Sequence, residues 1–212
     1  STASPAPDSL FWKLWQANTQ IAEQALNTKF VQGIKNGTLP PGKYGAFNVS
    51  DAYYCFHGAE DYGSAVKRAT HPALKDFLNQ KMLSYNKYNA SLVKSWRLKD
   101  GSGIVPTDVC KAYSDFESQV AVTADPIYCL IVMLPCEYLW FWLGDQLNPP
   151  KKGNLYADWI TGNLYSDGAF AMGNFLELYQ QKYPGSIDEG KAMDIYQKAI
   201  TYEYQNFETA MS

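Results

Sequence analysis

Cys136 stands between Pro135 and Glu137 inside a stretch that is otherwise apolar, PIYCLIVMLPCEYLWFWLGDQL over 126–147. A thiol and a carboxyl are costly in a core unless they are paired, and chains keep such a cost most often at functional sites. Two further groups have the same character. Asp51, Tyr54, Cys55 and Gly58 fall at i, i+3, i+4 and i+7 and share one helix face. Tyr202 and Glu203 lie close to Asn206 and Phe207. Cys129, Met133, Cys136 and Trp140 form a comparable stripe. Aromatic faces with a few acids and one thiol suit a planar, hydrogen-bonding heteroaromatic ligand. Each stripe taken singly is also the pattern of an ordinary core.

The elements that must position these groups are helices. Asp125 is a good N-cap and Pro126 fits a first helical position, so one buried helix follows, with a kink expected at Pro135. Its apolar run, 127–143, is shorter than the roughly 20 residues of a membrane span and holds Glu137 near its centre. The remaining pattern predicts a helix over 8–27 and a short one at Phe30–Ile34 closed by Asn36-Gly37. A turn is expected at Leu39–Gly42, then a long helix, or a helix with one break, over 43–69 and another from His71-Pro72 to about Arg97. Pro106 opens the next helix, and three more cover 154–162, 167–182 and 187–211. No strand-like alternation persists. Eight or so helices with short connections make a single-domain, all-α bundle, residues 10–212, behind a flexible N-terminal segment, residues 1–9.

Composition bounds the partners. The 212 residues are 46% hydrophobic and 15% aromatic, with a net charge of −3. That balance argues against nucleic acid and against an anionic membrane surface. Two histidines and four cysteines without a C-x-x-C leave no metal pattern, and no cofactor motif is present. Glu60 and Asp61 read as a solvated stretch. Cys55, Cys110, Cys129 and Cys136 are compatible with two disulfides or with free buried thiols. Ser1 at the start and sequons at Asn36, Asn48 and Asn89 favour a secreted protein, with a cytoplasmic one as the alternative.

The order of the motifs adds a family likeness. Phe30-Val-Gln-Gly-Ile-Lys-Asn-Gly-Thr-Leu-Pro40, then Asp51-Ala-Tyr53-Tyr54, then Leu134-Pro-Cys136, then Tyr202-Glu203-Tyr204-Gln205 resembles the TenA/thiaminase II family. The likeness covers nearly the whole chain. It implies a haem-oxygenase-like helical fold, a homo-oligomer, and hydrolysis of thiamin or its aminopyrimidine breakdown products in thiamin salvage. It implies Cys136 as nucleophile, Glu203 as catalytic acid/base, Asp51 as pyrimidine-binding carboxylate, and Tyr54 and Tyr113 as ring contacts. Three pocket positions depart from the pattern. Trp140 and Asn163 stand where tyrosines are usual, and Asn206, followed by Phe207, stands where an aromatic is common. These changes imply a modified substrate range. They equally suit a secreted carrier or pigment protein that holds a planar heteroaromatic without turning it over.

Overall fold

A computed structural model describes all residues, 1–212. It contains ten α-helices and no strand: α1 (Leu10–Gln16), α2 (Thr19–Leu26), α3 (Lys29–Asn36), α4 (Pro41–Arg68), α5 (Pro72–Ser95), α6 (Asp108–Thr123), α7 (Ile127–Leu147), α8 (Ala157–Gly162), α9 (Asp167–Lys182) and α10 (Glu189–Thr209). The chain forms two compact units, residues 41–132 and residues 1–40 with 133–212.

In the unit of residues 41–132, α4 packs along α5 and α6. The turn expected at Leu39–Gly42 is shorter than foreseen, because α4 begins at Pro41. Proline suits the first helical position, where its missing N–H is not needed. At the far end, Arg68 Nη1 donates to the carbonyls of Ala121 and Ala124 at 2.9 and 2.6 Å. It thereby satisfies acceptors that the C-terminus of α6 leaves open. Thr107 caps α6, its hydroxyl accepting from the Cys110 N–H at 3.1 Å. Glu60 and Asp61 behave differently from the solvated pair expected. Glu60 is exposed, but Asp61 is buried, accepts from the Ser118 hydroxyl at 2.7 Å and is hydrogen-bonded to Glu117, itself fully buried. Burial is the largest influence on Asp61 and pushes its pKa up.

In the other unit, the helix expected over 8–27 is two helices. The side-chain amide of Asn18 donates to the Leu14 carbonyl at 2.8 Å and takes an acceptor that a continuing helix would use. Thr28 caps α3, its hydroxyl accepting from the Val31 N–H at 3.3 Å. Gly37 closes α3 in the left-handed conformation, φ 69°. Phe11 and Trp15 on α1 meet Tyr138 edge-on, at 5.0 and 4.7 Å between ring centroids. The N-terminal segment expected to be flexible is tied along α9. Thr2 N–H donates to Asp167 at 2.7 Å, Asn174 to the Ala3 carbonyl at 2.9 Å, and Trp12 to the Pro5 carbonyl at 2.9 Å.

Helix α7 runs through Pro135 without ending. An interior proline costs roughly 3 kcal/mol, and burial of the helix offsets it: every residue from Ile127 to Pro135 is buried. Beyond Pro135 the pattern changes, with Cys136, Glu137, Trp140, Phe141 and Trp142 only partly covered. The start is as the sequence requires, Asp125 accepting from the Ile127 N–H at 3.2 Å.

Candidate active site

The thiol of Cys136 donates to the Met133 carbonyl at 2.9 Å. One turn on, Trp140 lies on the same face of α7, and its indole Nε1–H donates to Glu203 Oε2 at 3.1 Å. Glu203 is 3% exposed, so an indole brings a donor to a carboxyl that water hardly reaches. The surroundings are aromatic. Trp140 lies 5.3 Å from Trp159 and 5.7 Å from Phe207, and Phe207 stacks on Phe30 at 5.9 Å. Phe207 follows Glu203 by one turn of α10, which explains why one helix supplies both the acid and the ring beside its donor. Tyr196, two turns before Glu203 on α10, is buried, and burial first, then the nearby Tyr138 and Cys136, push its phenol pKa up. It stays protonated.

Asn163 terminates α8, and its amide donates to the Trp159 carbonyl at 2.6 Å. A Cβ on Gly144 would stand 2.9 Å from the Asn163 carbonyl oxygen, so the close approach there requires glycine. Asn206 is 6% exposed beside the fully buried Phe207.

The unit of residues 41–132 contributes the second group. Asp51, Tyr54, Cys55 and Gly58 occupy one face of α4, as their spacing requires. Tyr54 donates its hydroxyl to the Tyr113 hydroxyl at 3.2 Å, the rings 4.6 Å apart, and both side chains are buried. Burial pushes the Asp51 pKa from its ordinary 3.8 to about 7, opposed by a hydrogen bond from the Cys55 thiol, Sγ to Oδ2 3.9 Å.

The structure therefore joins Trp140, Glu203 and Phe207 in one unit, with Cys136 one turn from Trp140, and pairs Tyr54 with Tyr113 and Asp51 with Cys55 in the other. Sequence reasoning missed Phe30 and Trp159 as the rings packed against Phe207 and Trp140, and Cys55 as the partner of Asp51. Only the last had a local signal, since Cys55 is one helical turn from Asp51. All four cysteines are free thiols, so the disulfide alternative is not realised. Of the three sequons, Asn36 is exposed. Asn89 is buried with its amide donating to the Cys55 carbonyl at 3.0 Å, and Asn48 donates to the Tyr44 carbonyl at 2.8 Å.

The all-α architecture has a haem-oxygenase-like fold. The chain superposes on haem oxygenase-1 of the cyanobacterium Synechocystis sp. PCC6803 with a TM-score of 0.52 and 18% identity, over 95% of this chain and 91% of that one. A TenA homologue from P. horikoshii OT3 matches with a TM-score of 0.77 and 21% identity, over 95% and 98% of the two chains. The family model described as TENA/THI-4/PQQC family matches residues 15–212, and the chain belongs to that family. A curated relative, the thiamine biosynthesis multifunctional protein ThiED of Corynebacterium efficiens, is 24% identical over 99% of this chain. The chain spans only 30% of that relative's length.

Proposed function

We propose that the protein is a thiaminase-II-like hydrolase that cleaves the C–N bond of an aminopyrimidine, thiamin or a thiamin breakdown product, with Cys136 as nucleophile and Glu203 as acid/base. The observation that carries the reading is the buried Glu203 carboxyl held by the Trp140 indole, one helical turn from a partly exposed thiol. Family membership and the relative's thiamine-biosynthesis name support the substrate class.

The resting thiol is parked on the Met133 carbonyl and is protonated there. Reaction requires that Cys136 give its proton to a base, the role assigned to the Glu203 carboxylate. The thiolate then displaces nitrogen from the methylene carbon attached to the electron-poor pyrimidine ring, a C–S bond forming as that C–N bond breaks. Glu203 returns the proton where the leaving nitrogen departs as an amine. Water subsequently replaces sulfur on the carbon and gives its second proton back to the thiol. Asp51 is assigned to the exocyclic amino group of the ring through a charge-assisted hydrogen bond, and Tyr54 and Tyr113 to its face and edge. Trp140, Asn163, Asn206 and Phe207 are assigned to substrate selection.

The test is chromatographic turnover of thiamin and of aminomethyl-aminopyrimidine by the wild type beside Cys136→Ser. Turnover by the wild type alone, with helical circular dichroism preserved in the variant, is the expected result. Equal turnover by both would sink the cysteine mechanism. Tight binding without turnover by the wild type would replace the enzyme with a carrier of planar heteroaromatics.

A further inference from the structure

The geometry points to Trp140 as a positioning residue whose indole N–H favours the ionised form of Glu203. This rests on the reading of Glu203 as acid/base and deepens it. An indole N–H can only donate, whereas the tyrosine hydroxyl usual at this place in the family pattern both donates and accepts. At 3.1 Å from Nε1, Glu203 Oε2 must present a lone pair. A hydrogen bond to the charged form of an acid favours that form, and burial at 3% exposure makes the bond count for more than it would in water.

Packing fixes the direction of the donor. Trp140 is held between Trp159, 5.3 Å away and inclined by 41°, and Phe207, 5.7 Å away and inclined by 42°. Phe207 is itself backed by Phe30. Swinging the indole off Glu203 would mean opening that aromatic group. Trp140 also shares its helix face with Cys136, so the residue that holds the base is set on the same turn-to-turn register as the thiol. The replacement of a hydroxyl by an indole thus makes the acid/base more strictly a base at rest.

The experiment titrates Glu203 in the substrate-free protein by carboxyl 13C NMR with labelled glutamate, assigned by its loss in Glu203→Gln. Three proteins are compared: the wild type, Trp140→Phe, and protein carrying benzothienylalanine at position 140, which keeps the bicyclic shape and replaces N–H by sulfur. Loss of the donor should move the Glu203 titration to higher pH by about one to two units in both altered proteins. The acid limb of the turnover profile should move with it. An unchanged titration in the benzothienylalanine protein overturns the proposal, because shape alone would then account for Trp140. The expected shift in both altered proteins, with a wild type that turns nothing over, would refute the hydrolase reading while upholding the assignment of Trp140 to the ionisation of Glu203.

Discussion

Asp51 and Glu203 are acids of the same kind in unlike settings, one in each compact unit. Asp51 on α4 has the Cys55 thiol as its donor, 3.9 Å away, and burial prevails, leaving its pKa at about 7. Glu203 on α10 is also buried but accepts from an indole N–H at 3.1 Å. A thiol is a weak donor and an indole N–H a good one. The comparison teaches that the role of a buried acid is set by the donor that faces it as much as by its burial. Asp51 is poised to change charge near neutrality, while Glu203 has a good N–H donor fixed on one of its oxygens.

The comparison breaks most visibly in turnover. Beyond the loss expected for Cys136→Ser, Glu203→Gln should lower kcat by about 10²–10⁴-fold, the usual worth of an acid/base group, with the helical spectrum unchanged. Steady-state rates on the pyrimidine substrate check it, and a fall confined to KM would contradict the assignment.

Asp51→Asn should act differently. The charge-assisted bond to substrate is lost, so KM should rise about tenfold while kcat falls less. The folded chain also holds the Asp51 proton more tightly than the unfolded chain does. Its contribution to stability is therefore full below about pH 4 and is lost as pH rises through about 7. Asparagine carries no such loss. The variant should gain on the wild type between pH 4 and pH 8, ending a few degrees ahead in Tm, at roughly 2–4 °C per kcal/mol for a chain of this size. Parallel melting curves across that range would deny the raised pKa.

The smallest effects compare the two units through their threonine caps. Thr28→Ala and Thr107→Ala each remove one N-cap acceptor and should cost about 1 kcal/mol. Thr28 is buried and also donates to the Ala25 carbonyl at 2.8 Å, whereas Thr107 is exposed. Thr28→Ala should therefore be the more damaging, and urea midpoints of the two variants measure the difference. The reverse order would mean that water replaces the buried cap more easily than the exposed one.

What the sequence determined by itself is the set of helices and the faces they carry. Asp125 before Pro126 starts α7, Asn36-Gly37 ends α3, and the i, i+3, i+4 spacing puts Asp51, Tyr54 and Cys55 together on α4. These features are legible because capping, left-handed closure and helical periodicity depend on residues within one or two turns. Where a side chain competes with the local backbone the reading slipped. Asn18 splits the helix foreseen over 8–27, and Asp61 leaves the solvated stretch assigned to it for a buried place beside Ser118 and Glu117. Tertiary structure alone decided the pairings. Trp140 meets Glu203 across 63 positions of sequence and Tyr54 meets Tyr113 across 59. The family likeness pointed to these residues as site members, but not to which atom faces which. Periodicity fixes the face of a helix on which a group lies. The partner, and with it the charge and orientation of a buried acid, follows from how the helices pack, which no local pattern encodes.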